Sequence, residues 1–350
     1  ELKLPTLQEA LLYVHRPPPR ADVAELEQGR HPAQRRLVFE ELLAHHLSLK
    51  HLRARLQEQQ APALQGNGRL SKALLDALPF ALTAAQQKVL DEIRTDLARH
   101  HPMQRLVQGD VGSGKTIVAA LAALAAVEDG FQVAIMAPTE LLAEQHWRNF
   151  NHWLQPLGIE VAWLSGKLSA RNRRNMLELI STGRAPLAVG THALFQDEVE
   201  FAKLGLVVVD EQHRFGVHQR LLLREKGRRN GRVPHQLIMT ATPIPRTLAQ
   251  AFYADLDVSV IDELPPGRKP VETVVLPDTR RAEVVTRVHA ACRAGRQTYW
   301  VCPLIEESDL LQAEAATETA ALLTAALPEL RVALVHGRMK PAEKEAVMRA

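Results

Sequence analysis

The pattern of hydrophobic positions divides the chain near residue 80. Before that point, leucines recur at helical spacing without the alternation that marks a strand, and the spacing predicts a long helix from His31 to about Gln60. Pro17-Pro18-Pro19 interrupts the first helix, and Gln65-Gly66-Asn67-Gly68 predicts a loop. We therefore predict a helical region over 1–80 that packs on a neighbouring domain.

From Leu82 onward, short apolar runs rich in β-branched residues alternate with helical patterns. Continuous apolar runs indicate strands buried on both faces, as in a parallel sheet. Alternating strands and helices predict a doubly wound α/β domain, with ligands at the carboxyl ends of the strands. The predicted strands are Arg105–Gln108, Val133–Ala137, Val161–Leu164, Leu187–Val189, Leu206–Val209 and Leu237–Met239. We assign this α/β lobe to residues 81–265.

A segment rich in proline, glycine and charge, Asp262 to Lys269, predicts a linker. The same rhythm then begins again, and the chain stops at Ala350 within a helical pattern. The predicted strands are Val271–Leu276, Thr298–Cys302 and Val332–His336, and the predicted helices are Arg280–Ala294, Ala313–Ala326 and Pro341–Ala350. A parallel sheet normally has more strands than this. We therefore expect 266–350 to be an incomplete second lobe, in a piece of a longer protein that here starts at Glu1.

Residues 109–116 fit the phosphate-loop pattern G-x-x-x-x-G-K-[ST], between an apolar strand and a helix. Lys115 can reach the β- and γ-phosphates of a nucleotide, and Thr116 can offer its hydroxyl to Mg²⁺. Main-chain amides at the helix start favour an anion. The loop residues that would hold the phosphates are Gly109, Asp110, Val111, Gly112, Ser113, Gly114, Lys115 and Thr116. The sequence therefore predicts binding of a nucleoside triphosphate with its Mg²⁺.

Two acids, Asp210 and Glu211, end the predicted strand at 206–209 and would face the phosphate loop across the sheet. Asp210 can hold Mg²⁺, commonly through water, and Glu211 can polarise the water that attacks the γ-phosphate. Taken alone, the two acids could equally cap a strand before a turn. Behind a phosphate loop, hydrolysis is the favoured interpretation.

Gln86 and two threonines allow two interpretations each. Thr83 and Gln86 form a capping-box pattern, which the spacing favours, whereas the alternative role of Gln86 is to recognise the adenine edge with its donor and acceptor. Thr240 and Thr242 follow a predicted strand and can link the acids to a mobile partner, or form a hydroxyl-rich turn.

Two further strand ends carry polar or backbone groups that could hold a nucleic-acid backbone without reading its sequence: Pro138 and Thr139, and Gly190, Thr191 and His192. Each could also be an ordinary helix cap.

Composition sets limits without deciding the function. The apolar fraction of 46% and charged fraction of 24% are those of an ordinary globular protein. The net charge of +3 and the pI near 8.9 fit nucleic-acid binding and fit an ordinary surface equally well. Cys292 and Cys302 form no disulfide framework, which favours a reducing compartment. The longest apolar stretch, Ile117–Val127, is too short to span a membrane.

In this order, the motifs resemble those of the superfamily-two helicases over essentially the whole chain. They are Leu82-Thr83-Ala84-Ala85-Gln86, the loop at 109–116, Ala137–His146, Val189-Gly190-Thr191-His192, Asp210-Glu211-Gln212-His213 and Thr240-Ala241-Thr242-Pro243. The versions at Asp210–Gly216 and Thr240–Thr247, and the later run Val335–Lys340, are similar to those of the bacterial branch-migration DNA helicases.

The resemblance implies two RecA-like lobes that close on ATP and Mg²⁺ and move along duplex DNA, with forks and four-way junctions as substrates. It makes Gln86 the adenine reader, makes His213, Thr240 and Thr242 coupling residues, and makes 1–80 the connection to a wedge domain. It further implies a monomer in the bacterial cytoplasm, associated with the nucleoid, with single-stranded-DNA-binding protein as a partner.

The wedge and the arginine finger of the second lobe are not found in these residues, so we expect this piece to bind Mg-ATP weakly and to hydrolyse little of it. Three alternatives remain open: a transcription–repair coupling translocase, a phosphotransferase on the same loop, and a binding module that holds ATP as a structural ligand.

Overall fold

The computed structural model describes residues 3–166, 168–211, 231–242, 256–263, 271–302, 309–336 and 339–349. They form two compact units, Glu1–Arg268 and Lys269–Ala350. None of the described helices combines the length and the apolar character that crossing a membrane requires.

The first unit is built on a seven-stranded sheet in which every paired strand runs parallel, in the order β3-β4-β2-β5-β6-β1-β7. The strands are β1 Gln104–Gly109, β2 Gln132–Met136, β3 Val161–Leu164, β4 Leu187–Gly190, β5 Leu204–Asp210, β6 His235–Thr240 and β7 Asp257–Ile261. The apolar runs are buried on both faces because helices cover both sides. The predicted parallel α/β sheet is thus confirmed.

Eight α-helices accompany this sheet in the described residues of the first unit. They are α1 Leu7–His15, α2 Val23–Glu27, α3 Pro32–Gln57, α4 Arg69–Ala77, α5 Ala84–Leu97, α6 Lys115–Glu128, α7 Glu140–Leu154 and α8 Ala170–Ser181. Apolar residues of α4 to α7 form one core against the sheet, and α8 contributes to the core on the other face. The alanine-rich helix α6 is buried from Ile117 to Ala126, so the phosphate-loop helix lies inside the protein.

The six predicted strands of the lobe occur within about two residues of their predicted bounds, but β7 was not predicted. This edge strand contains Asp257 and the buried Ser259, so it presents no continuous apolar run.

The second unit contains three α-helices in its described part, α9 Arg281–Arg293, α10 Asp309–Ala326 and α11 Pro341–Arg349. The predicted strands at 271–276, 298–302 and 332–336 are wrong, because no strand is assigned in these segments. Val275 and Val301 are 93% and 80% exposed. A β-branched run becomes a strand only when a neighbouring strand completes its hydrogen-bond ladder, and these segments have none among the described residues.

A connector, residues 60–68, joins α3 to α4 along the amino ends of the strands. Its amides at Ala61 and Leu64 donate to the carbonyls of His100 and Leu97, at 2.8 and 2.7 Å. The carboxylates that end helix α6 hold the rest: Asp129 accepts from the amides of Gln65 and Gly66, and Glu128 accepts from those of Gly68 and Leu70, at 2.5–3.0 Å.

His235, at the start of β6, also binds the connector and is fully buried. Its Nδ1 accepts from the Met103 amide at 2.9 Å, and its Nε2 lies 2.6 Å from the Pro62 carbonyl oxygen. A main-chain amide can only donate and a carbonyl can only accept, so the ring is neutral with its hydrogen on Nε2. Burial lowers the pKa of His235 to about 4, although the Pro62 carbonyl and the charge of Asp96 oppose that shift.

Candidate functional site

The phosphate loop lies between the end of β1 at Gly109 and the start of α6 at Lys115. Gly112 and Gly114 have φ angles of 77° and 86°, a region that glycine enters without strain. A Cβ at Gly114 would lie 2.2 Å from Nε2 of Gln86. The loop therefore requires glycine at 114 both for its backbone angle and for its close contact with α5.

The ammonium group of Lys115 folds back over this loop. Its Nζ donates to the carbonyl oxygens of Gly109 and Asp110, at 2.6 and 3.0 Å. Desolvation lowers the pKa of Lys115, and the negative charges of Asp210, Glu211 and Asp110 oppose that shift. Lys115 is thus a half-buried cation that interacts electrostatically with both predicted catalytic acids. Such a cation fits the binding of a polyanion such as a triphosphate.

Gln86 is almost fully buried and uses both ends of its amide. It forms the predicted capping box, in which the Thr83 amide donates to Oε1 at 2.9 Å and the Gln86 amide donates to the Thr83 hydroxyl at 3.2 Å. Its Nε2 also donates to the carbonyl of Ser113 at 2.8 Å. The capping box is confirmed, and the contact with the phosphate loop is additional. Recognition of adenine by Gln86 stays a prediction.

Asp210 and Glu211 stand at the end of β5. Glu211 has a φ of 51°, the one positive value at a non-glycine residue in the described part of the chain. Its amide donates to the Met239 carbonyl at 2.9 Å and lies 3.1 Å from Oδ1 of Asp210. A left-handed non-glycine residue costs about 1 kcal/mol or more, and such strain is frequent at functional sites.

The end of β6 binds the Glu211 side chain directly. The Thr240 hydroxyl donates to one carboxylate oxygen at 3.3 Å, and the Ala241 amide donates to the other at 3.0 Å. The Thr242 amide in turn donates to the Thr240 hydroxyl at 3.1 Å. The structure therefore places the threonine motif against the predicted catalytic glutamate. The remaining proposed coupling residue, His213, lies outside the described residues.

The remaining strand-end residues gather at β2 and β4, which are neighbours in the sheet. Thr139 is exposed and caps α7, its hydroxyl accepting from the Leu142 amide at 3.3 Å, and half-buried Pro138 precedes it. Gly190 is packed so closely that a Cβ would lie 2.3 Å from the Leu164 carbonyl oxygen. The ordinary role of Thr139 as a helix cap is thus observed, and contact with DNA stays a prediction.

Thr191 and His192 differ in their exposure. The Thr191 hydroxyl is buried and has no hydrogen-bond partner within the described residues, while His192 is exposed at the start of a short 3₁₀ helix, His192–Phe195. An exposed imidazole is available to a ligand at the carboxyl edge of the sheet.

A cavity of about 580 Å³ adjoins the phosphate loop and α5. Gly109, Asp110 and Ala241 line one side of it, and Lys88 and Glu92 line another. Arg105 holds α5 against the sheet beside this cavity, because its guanidinium donates to Asp96 at 2.6 Å and to Glu92 at 3.2 Å. The carboxyl edge therefore offers concave space next to the predicted phosphate site.

His146 is a site residue whose role the sequence did not reveal. It lies on the buried face of α7 with Ala143, Phe150 and Leu154, and its Nε2 is 2.7 Å from Oδ2 of Asp210. A polar residue within an apolar helical stripe needs a buried partner, and this feature, together with the place of His146 at the end of the Ala137–His146 motif, is the signal in the sequence that could have identified it.

The residues present suit a magnesium–nucleotide complex. Magnesium prefers hard oxygen ligands, and the carboxylate of Asp210 and the hydroxyl of the half-buried residue Thr116 are ligands of that kind. The glycine-lined loop and Lys115 supply positive groups for phosphate oxygens.

Comparison with known proteins agrees with this arrangement. The model of the DEAD/DEAH box helicase family matches residues 83–251. The ATP-dependent DNA helicase RecG of Escherichia coli K12 is 63% identical over 344 residues, which cover 98% of this chain and 50% of that protein. RecG of Haemophilus influenzae is 60% identical with the same coverage.

Among solved structures, RecG bound to a three-way DNA junction is 39% identical and has a TM-score of 0.75, covering 91% of this chain and 41% of that one. The chain spans about half the length of the curated relatives it matches. Residues 83–251 are thus similar to the DEAD/DEAH box helicases, and nearly the whole chain is similar to RecG.

Proposed function

We propose that this chain carries the ATP-hydrolysing lobe of a DNA helicase that remodels branched DNA. The observation that carries the proposal is the contact between neighbouring strand ends, where Thr240 and Ala241 bind the carboxylate of Glu211 close to Lys115 and its loop. Hydrolysis needs these groups together, and movement needs a hydrolytic residue that is linked to another part of the protein.

Within this proposal the loop amides and Lys115 bind the phosphates, Gln86 contacts the base, and Asp210 with Thr116 holds Mg²⁺. When bound, Mg²⁺ supplies positive charge that neutralises the phosphate oxygens. Glu211 orients and polarises the attacking water. Thr240 and Thr242 couple the Glu211 carboxylate to another part of the protein. His213 belongs to the same proposed coupling set.

The strand ends at Pro138–Thr139 and Gly190–His192 lie at neighbouring strands and are proposed to grip the DNA backbone. Contacts of this kind position a protein on DNA without reading its sequence. The substrate class, forks and four-way junctions, is supported by the homologous RecG structure on a three-way junction. We further propose a monomer in the bacterial cytoplasm, associated with the nucleoid and with single-stranded-DNA-binding protein.

The proposed organisation has a helical region at 1–80, the ATP-binding lobe at 81–265, and the start of a second lobe at 266–350. The high identity to RecG favours branch migration over transcription–repair coupling. A phosphotransferase does not account for the strand-end residues at 138, 190 and 240. A binding module that keeps ATP as a structural ligand has no need of Glu211.

Replacing Lys115 with alanine in the full-length protein tests the proposal. We expect DNA-stimulated ATP hydrolysis to fall by roughly 100-fold or more, because phosphate charge is no longer neutralised, while binding to a four-way junction is retained. Hydrolysis should be measured side by side with single-stranded, duplex and four-way junction DNA. Undiminished DNA-stimulated turnover in the Lys115→Ala protein would overturn the assignment.

A further inference from the structure

Helix α7 contacts the end of β5 through His146, the last residue of the Ala137–His146 motif. His146 is 7% exposed, and its Nε2 lies 2.7 Å from Oδ2 of Asp210. An ionised carboxylate only accepts hydrogen bonds, so the ring nitrogen facing Asp210 is the donor.

The carboxylate of Asp210 is held at both of its oxygens. His146 binds Oδ2, and the Glu211 amide lies 3.1 Å from Oδ1. Two donors on different oxygens fix the plane of a carboxylate, which otherwise rotates freely about its last bond. Each oxygen keeps a second lone pair, so a held carboxylate can still accept from a metal-bound water or bind a metal directly.

The other ring nitrogen of His146, Nδ1, indicates that packing is not the only role of this residue. Its Nδ1 is buried and has no hydrogen-bond partner in the described part of the chain. Burying an unpaired polar atom is unfavourable, so an apolar residue would fill this position on α7 with less cost if packing were its only role. The imidazole is therefore accounted for by its hydrogen bond with Asp210, the one that it makes among the described residues.

We propose that His146 is a positioning residue that orients the Asp210 carboxylate for the Mg²⁺ of the bound nucleotide. This inference rests on the proposed function, in which Asp210 holds the metal. In this role His146 acts through Asp210. Partners of this outer kind commonly change metal affinity by roughly 10- to 100-fold when they are removed.

The test compares His146→Leu, which removes the donor, with His146→Gln, whose amide nitrogen can reach the position of Nε2. The first readout is the affinity for a fluorescent non-hydrolysable ATP analogue, measured with Mg²⁺ and with EDTA. The second is the Mg²⁺ concentration that gives half-maximal DNA-stimulated hydrolysis. Both are measured on the full-length protein, with His152→Leu, an exposed site on the same helix, as the matched control.

We expect His146→Leu to raise the half-maximal Mg²⁺ concentration roughly 10-fold or more and to lose most of the affinity gained from Mg²⁺, with affinity in EDTA unchanged. His146→Gln should stay within about three-fold of the parent because a donor remains. An unchanged Mg²⁺ dependence in folded His146→Leu would show that the histidine only fills space, and would overturn the proposal.

Two further variants keep the outcome decisive. If His146→Leu does not fold, His146→Asn replaces it, because the shorter amide of asparagine is polar but does not reach Asp210. Equal Mg²⁺ dependence of the Asn and Gln variants overturns the proposal.

Asp210→Asn distinguishes failure of the proposed function from failure of the role of His146. If Asp210→Asn retains the Mg²⁺-dependent affinity, the proposed function fails; if it loses that affinity while His146→Leu retains it, only the role of His146 fails.

Discussion

The amino and carboxyl ends of the strands in the parallel sheet differ in whether their buried polar groups have hydrogen-bond partners. At the amino ends, the buried His235 has partners for both ring nitrogens, and the connector amides meet carboxylates or carbonyls. At the carboxyl ends, Glu211 has a strained backbone, and the buried hydroxyls of Ser113 and Thr191 have no partner among the described residues. Stability is concentrated where polar groups are satisfied, and ligand binding is expected where they are not.

The largest effect expected from this comparison is at the carboxyl edge. Glu211→Gln keeps the size of the side chain but removes the charge that polarises water, so DNA-stimulated ATP hydrolysis should fall roughly 10²- to 10⁴-fold. The free energy of unfolding should change little. Steady-state hydrolysis and urea unfolding measure the two quantities, with Glu200→Gln, an exposed acid, as control. A large loss of stability in Glu211→Gln would contradict the distinction between the two edges.

At the amino edge, we expect a substitution to lower the free energy of unfolding and to leave ATP hydrolysis unchanged. His235→Ala leaves the Met103 amide and the Pro62 carbonyl buried without their partner, which should lower the free energy of unfolding by roughly 3 kcal/mol. ATP hydrolysis per folded molecule should be unaffected. Urea titration followed by circular dichroism measures the loss, with His152→Ala as the matched exposed site. Equal stability of the two variants would mean that the buried histidine contributes nothing.

The same histidine predicts a dependence on pH. Its pKa is about 4 in the folded protein and 6.5 when unperturbed, so between these values the unfolded chain binds a proton that the folded chain does not. The stabilising effect of the neutral His235 is therefore fully present above pH 6.5. As the pH falls toward 4 this effect is lost, and the free energy of unfolding decreases by roughly 3 kcal/mol in all. His235→Gln should be less stable at pH 7 but should show a shallower decline. Parallel stability curves for parent and variant, measured from pH 7 to 4.5, would refute this.

The smallest expected effect is at the connector. Glu128→Gln weakens the charge-assisted contacts with the amides of Gly68 and Leu70, and should cost about 1–2 kcal/mol. Hydrogen exchange should quicken at these two amides. The amides of Gln65 and Gly66, which Asp129 holds, provide the internal control. Uniform acceleration across all four would indicate general unfolding instead of the loss of one contact.

Prediction from sequence succeeded where a single local pattern is sufficient. Apolar runs identified six strands, and spacing identified the phosphate loop and the Thr83–Gln86 cap. It failed where the answer depends on neighbours. The polar edge strand β7 acquires its structure from pairing with β1, whereas Val275 and Val301 lie in apolar runs that have no strand partner within the described residues.

The contacts within the site could not be derived from the sequence either, because the order of the strands in the sheet does not follow from their order along the chain. β6 lies beside β5, which brings Thr240 to Glu211, and β2 lies on the other side of β5, which allows helix α7 to bring His146 to Asp210. The motifs predict which residues belong to the site, and adjacency in the sheet determines which of them meet.

Helix α6 begins at Lys115 in the phosphate loop and ends at Glu128, which holds the connector. Its 14 residues correspond to about 21 Å of rigid helix, with about 100° of rotation per residue. Inserting or deleting one residue between Ile117 and Ala126 would therefore shift Glu128 by about 1.5 Å and swing it by about 100° relative to Lys115. Only one helix length satisfies both ends, so this segment should tolerate changes of side chain far better than changes of length.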